Sequence, residues 1–290
     1  MLIGLAAGGG TDTLARLVAP KLSEHLGQPV VVENRPGASG SIAIERVAKS
    51  PADGYTLLLV PSNAIIYAVL RTDLPYDLER DLAPVSLMVA GPSVLVVHPS
   101  VPARNVKELI VLARSRPGEL NFGGSGIGSA GHLAGELFNL MAKVKLVHVP
   151  FKGGAEAIIA VAGGQIEMSF SNVVTTQPFI KAGKFRALAV TTAKRVSLMP
   201  SIPTLDESGL PGYECIVWFG VLAPAGVPKD ILAQLNAAIS KVVNIPEMKE
   251  FIKKQGQEPQ TNSPEQFAAF IRSEIAQTAK LVKLTGMKPN

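Results

Sequence analysis

Three glycine-rich turns, each running into a predicted helix, carry the residues best suited to chemistry in this sequence. They are Gly8-Gly9-Gly10-Thr11-Asp12, Gly123-Gly124-Ser125-Gly126-Ile127-Gly128-Ser129 and Lys152-Gly153-Gly154-Ala155. The chemistry they offer is anion binding. The first turn of a helix leaves backbone N–H groups unpaired and carries a partial positive charge. Glycine lets a ligand approach that backbone closely, and a carboxylate suits such a turn as well as a phosphate does. Lys152 is the best-placed cation, weighed against an ordinary solvated loop lysine.

Catalytic alternatives are poorly furnished. Gly126-Ile127-Gly128-Ser129-Ala130-Gly131 matches the dinucleotide pattern GxGxxG, which needs an acid for the ribose ~20 residues further on. No carboxylate lies between Glu136 and Glu156, and there is no phosphate-binding GxxxxGK[ST] loop. Ser125 and Ser129 lack the GxSxG setting of a hydrolase nucleophile. Ser129 is read as a hydroxyl donor to a ligand oxygen, with capping of the following helix as the competing role. His132, in the first turn of that helix, is read as a packing or hydrogen-bonding residue. Asp12 is read first as an acid stabilising a helix start. The histidines His25, His98, His132 and His148 are not at metal-ligand spacing, and no acid pair suggests a general acid/base couple. The residues thus name no catalytic group, metal or cofactor.

The elements that must hold these turns alternate between strand and helix. Leu14, Val18, Leu22 and Leu26 have helical spacing closed by Gly27. Strands are expected at Pro29–Glu33, Tyr55–Val60, Ser93–Val97, Asn121–Phe122, Leu146–Val149, Met168–Ser171, Arg186–Thr191 and Trp218–Ala223. Helices are expected around residues 42–49, 106–114, 133–141, 157–162, 177–182, 229–243, 247–255 and 264–284. Such alternation implies an α/β fold with parallel sheets covered on both faces. Two crossovers, near His98-Pro99 and Ala223-Pro224, divide it into two doubly wound domains joined by a hinge, 1–97 with 225–290 and 98–224. All three glycine turns then fall at the carboxyl ends of strands, where doubly wound sheets bind ligands.

Composition sets the outer limits. A hydrophobic fraction of 47% over 290 residues supports a sizeable core. A net charge of +5, scattered without a basic run, and 5% aromatics argue against nucleic-acid binding. The single Cys215 excludes an internal disulfide. No apolar run approaches the ~20 residues of a membrane span. No signal peptide is visible, and Met1-Leu2-Ile3-Gly4-Leu5 reads as the tail of a strand, so an export signal is expected to have been removed upstream.

The ordered set of motifs resembles the tripartite tricarboxylate receptor family, the Bug-type extracytoplasmic solute-binding proteins of bacteria. The resemblance is carried by Ala6-Ala7-Gly8-Gly9-Gly10-Thr11-Asp12, Val32 to Gly40, Pro51-Ala52-Asp53-Gly54-Tyr55-Thr56-Leu57 and Asn121 to Leu133. It continues in Val147-His148-Val149-Pro150-Phe151-Lys152-Gly153, Lys181-Ala182-Gly183-Lys184, Ala187 to Val190 and Leu222-Ala223-Pro224-Ala225-Gly226. It implies a type II periplasmic-binding-protein fold with a ligand cleft between two domains. It also implies a carboxylate held by backbone N–H groups, small hydroxyls and waters, and delivery to the membrane subunits of a tripartite transporter. By position, the implied ligand residues are Ala7, Gly8, Gly9, Gly10, Asp12 and Ser62 in one domain. In the other they are Ser125, Gly126, Gly128, Ser129, Gly153, Ala155, Ser171 and Asn172.

Two departures refine this. Gly4 and Leu5 stand where the family often has Pro and an aromatic. Ser171 stands where it often has an acid suited to an amino group, which favours plain mono- or dicarboxylates over amino acids. The expected protein is a periplasmic, monomeric, non-enzymatic carrier without a cofactor. The alternatives are a doubly wound enzyme (an NAD-dependent oxidoreductase or a serine hydrolase) and a ligand sensor without transport.

Overall fold

The computed structural model describes residues 1–8, 10–71, 73–151 and 153–286. Gly9 and Lys152, both singled out above, lie outside the described residues. The chain divides into two units, 1–90 with 218–280 and 91–217 with 281–290.

The first unit begins with β1 (Leu2–Ile3), α1 (Gly10–Leu26), β2 (Glu33–Asn34), α2 (Ser41–Ala48), β3 (Leu58–Pro61) and α3 (Asn63–Leu70), and then enters β4 (Leu82–Val97). β1 pairs in parallel with both β2 and β3. α1 forms as its spacing requires, and Leu14, Val18 and Leu22 pack with Ile3 and Leu59 in one apolar cluster.

The second unit follows from Gly91 within β4. It adds α4 (Val106–Ser115), β5 (Asn121–Gly124), α5 (Ala130–Ala142), β6 (Val147–Pro150), α6 (Gly154–Ala162), β7 (Met168–Asn172), α7 (Val173–Lys181) and β8 (Arg186–Val190), and ends at the start of β9 (Ile216–Pro224). β5 lies parallel to β6 and β7, while β4 runs antiparallel to β7 and β8. Side chains of a strand alternate between faces, and Val94 to Val97 show it. Leu95 and Val97 pack with Leu109 of α4 and Phe138 of α5. Val94 and Val96 pack with Ile158 and Val161 of α6. All four are fully buried, so this strand reads as an unbroken apolar run.

The chain returns to the first unit in β9, where Leu58 to Pro61 of β3 pair antiparallel with Leu222 to Phe219. It closes with α8 (Lys229–Val243), α9 (Pro246–Lys254), β10 (Glu258–Pro259) and α10 (Pro264–Thr285), with β10 antiparallel to β4. α8 adds Leu235, Ile239 and Val242 to the α1 cluster. Among the described residues no helix is long and apolar enough to cross a membrane.

The structure corrects the sequence reading of the strands in four places. The sheets are mixed rather than parallel, because β4, β8, β9 and β10 run against their neighbours. β4 begins at Leu82, whereas a strand was expected only from Ser93; Gly91 and Pro92 fall between the rungs to β10 and those to β7. The strand expected from Tyr55 starts at Leu58, since Asp53 accepts the Tyr55 N–H at 2.9 Å and turns the chain there. The strand expected at Pro29–Glu33 is confined to Glu33–Asn34.

Candidate functional site

In the second unit, three strands deliver the chain into three helices at one sheet edge. β5, β6 and β7 are parallel, so their carboxyl ends share that edge, and α5, α6 and α7 start there. Each start is finished differently. Ser129 caps α5, its Oγ accepting the His132 N–H at 3.3 Å. Asn172 caps α7, its Oδ1 accepting the Val174 N–H at 2.8 Å. α6 starts from Gly153 with no side-chain cap. In α5, the His132 and Leu133 N–H groups go to Ser129, whereas Ala130 and Gly131 occupy the first positions, where N–H groups have no intrahelical partner.

A cavity of about 420 Å³ opens on these helix starts. Gly124, Ser125, Ala130 and Gly131 line it from the β5–α5 turn, Gly154 and Ala155 from α6, and Ser171, Asn172 and Thr175 from the β7–α7 turn. Ser93 of β4 joins them because it pairs with Asn172. The rest of the wall is apolar: Ala157, Ile158, Ile159, Phe170, Phe179 and Val217. None of these described lining residues is charged. Gly131 is needed for close approach, as a Cβ there would sit 2.7 Å from the Phe170 carbonyl oxygen.

The β5–α5 turn is braced from below by two histidines. Gly126 turns the chain at φ +96°, and Gly128 donates its N–H to His132 Nδ1 at 3.1 Å. That bond makes Nδ1 the acceptor and leaves the ring proton on Nε2, which lies 3.7 Å from Glu136 Oε1. The His132 ring stacks on His148 with centroids 3.8 Å apart. Burial, and secondarily the neighbouring His132, pushes the His148 pKa down to about 4. Among the described residues His148 Nε2 is buried without a hydrogen-bond partner, an arrangement that a neutral ring tolerates better than a charged one. His132 is therefore a hydrogen-bonding and packing residue, as its position suggested.

In the first unit, the residues after β1 and β3 share the carboxyl edge of a parallel pair. Asp12 is buried there, and its carboxylate is fully engaged. It accepts the Gly8 N–H at 2.9 Å, Arg16 Nε at 3.0 Å and Asn34 Nδ2 at 3.0 Å. These donors, Arg16 first, hold its pKa down to about 2. Asp12 thus shapes the turn around Gly8, and its oxygens are taken up by the chain itself. Ser62 is buried at the start of α3, donates its N–H to the Trp218 carbonyl at 2.9 Å, and does not cap the helix with its side chain. Ala7 and Gly8 are exposed.

Of the residues proposed from sequence in the second unit, Ser125, Ala155, Ser171 and Asn172 line the cavity. Gly126, Gly128, Ser129 and Gly153 do not line it, and belong to the turns that support it. Ser93, Ala130, Gly131, Gly154 and Thr175 were not singled out as ligand residues. Thr175 could have been found at i+3 from Asn172, on the same helix face. Ser93 reaches the site through strand pairing, which no local pattern reports.

Comparison with known proteins now adds to this geometry. The sequence model of the tripartite tricarboxylate transporter family receptor matches residues 14–287. Protein BugT of Bordetella pertussis is 37% identical over 290 residues, covering 99% of this chain and 89% of its own. Among solved structures, R. palustris Rpa4515 with adipate is 39% identical with a TM-score of 0.81, covering 100% of this chain and 97% of that one. MatC from Rhodopseudomonas palustris with bound malate is 31% identical with a TM-score of 0.77, covering 97% of each chain. Such neighbours have the two-domain α/β fold of periplasmic solute-binding proteins that the sequence led us to expect. With a match running through nearly all of its length, and with relatives of this similarity, the chain belongs to the tripartite tricarboxylate transporter receptor family.

Proposed function

We propose that this chain is a periplasmic receptor that captures a small carboxylate by closing its two units on it and passes it, as a monomer and chemically unchanged, to the membrane subunits of a tripartite transporter. The observation that carries this reading is the convergence of three helix starts on one cavity whose described lining has no charged side chain. Backbone N–H groups and helix dipoles there suit a single carboxylate. The family is one of solute-binding receptors, and the neighbours Rpa4515 and MatC were solved with adipate and malate.

The same geometry argues against hydrolysis at Ser129. Its Oγ accepts a backbone N–H, while the His132 ring uses Nδ1 for Gly128 and directs Nε2 towards Glu136, so neither nitrogen of the His132 ring is left as its base. Closure follows if the ligand binds the closed form more tightly than the open one.

A thermal-shift screen tests the reading, with succinate, adipate, malate, citrate, benzoate, amino acids and NAD as ligands. A carboxylate at ~100 times its dissociation constant should add about 2.7 kcal/mol of stability. A shift with NAD alone, or turnover of a bound acid, would refute the receptor reading.

A further inference from the structure

We infer that the cavity of the second unit takes a carboxylate with an apolar body, one aromatic ring or a short methylene chain, and discriminates against hydroxylated acids of similar length. This rests on the receptor reading and narrows its ligand. The lining of the cavity changes character along its helices. On α6, Gly154 and Ala155 stand at the helix start, and Ile158 and Ile159 follow four residues later, about 5–6 Å along the axis. On α7, Asn172 caps the helix, Thr175 lies in the first turn, and Phe179 lies two turns on, about 10 Å from the cap. A carboxylate anchored at the helix starts therefore has its body beside Ile158, Ile159 and Phe179.

That wall is held in place and is apolar. Phe179 stacks on Phe185 with centroids 5.0 Å apart. Ile158 is buried in the α6 cluster, whereas Ile159 leaves 64% of its surface exposed at the cavity. Covering such a side chain with an apolar ligand removes hydrocarbon from water on both partners. The polar lining side chains are Ser125, Ser171 and Asn172 at the strand-to-helix turns, Thr175 in the first turn of α7, and Ser93 of β4, which pairs with Asn172; none lies on the stretch of Ile158, Ile159 and Phe179. A hydroxyl on the ligand body would lie against the isoleucines and the phenylalanine without a partner, and an unpaired buried hydroxyl is costly.

Titration calorimetry on the intact chain tests this with five acids: adipate, benzoate, galactarate (the tetrahydroxy acid of adipate's length), 3,4-dihydroxybenzoate and citrate. Adipate or benzoate should bind at least about tenfold more tightly than any of the hydroxy acids. Ile159→Ser, at an exposed position, should weaken adipate or benzoate binding about fivefold while leaving the ligand-free melting temperature unchanged. A hydroxy acid binding as tightly as the apolar ones, or an unchanged affinity in the serine variant, overturns the inference and leaves the receptor reading intact. Binding by none of the five acids overturns the receptor reading itself.

Discussion

Two side chains contribute to the acid response of this protein in separate pH ranges. The His148 pKa of about 4 lies below its ordinary 6.5, so the unfolded chain binds the proton first. Stability from a neutral His148 is complete above pH 6.5 and is lost as pH falls towards 4. Asp12 works lower down. Its carboxylate is held at about 2 rather than 3.8, so its contribution is complete above 3.8 and disappears as pH falls towards 2. Melting temperature followed against pH should show both steps. His148→Asn should flatten the upper one and Asp12→Asn the lower one. If either variant keeps the full wild-type profile, the corresponding assignment is wrong. The Asp12 cluster also shows where local reading stops. Asp12 was legible as an acid at a helix start, but Asn34 meets it from a distant turn and also donates to the Leu5 carbonyl at 3.1 Å. Only the parallel pairing of β1 with β2 brings that turn alongside.

At the level of elements, the packing of α5 on the sheet is the most exacting contact of the candidate site. Glycine to alanine within a helix ordinarily stabilises by about 1 kcal/mol. At Gly131 the sign should reverse, because the new methyl meets the Phe170 carbonyl oxygen at 2.7 Å, and backbone yields little. We expect Gly131→Ala to lower stability by about 1–3 kcal/mol in urea unfolding and to weaken carboxylate binding, since the start of α5 must shift. A variant as stable as the parent would mean that α5 is not seated against β7.

Elements with a strong local period were read well from sequence. α8 was placed at Lys229–Val243, the limits that it has in the structure. Its apolar positions repeat at helical spacing after Pro228 and end before the next proline. α3 was missed because Asn63–Leu70 is mostly apolar and lacks the polar face that gives a helix away. The first half of β4 was missed; Pro84 and Pro92 interrupt its apolar run, and at Pro92 the strand passes from one set of partners to another, a place where a strand can carry proline.

At the scale of the whole molecule, residues 91–217 are inserted in the sequence between the two segments of the first unit, whose sheet is completed only when β9 reaches β3. Pairings distant in sequence form late, because the loop between them must first be closed. In the second unit β5, β6 and β7 pair over much shorter stretches. Pulsed hydrogen exchange during refolding should therefore protect amides of β5, such as Phe122, before those of Leu59 and Val221. The reverse order would show that the first unit assembles independently of the insertion. During synthesis, the apolar edge Leu58–Val60 is made long before Phe219 to Leu222 can cover it. An unpaired apolar edge recruits strands from other chains, so the growing polypeptide carries an adhesive segment throughout the time taken to make the second unit. For this architecture the period of greatest exposure to aggregation falls before release from the ribosome, and a chaperone that shields that one strand would answer it.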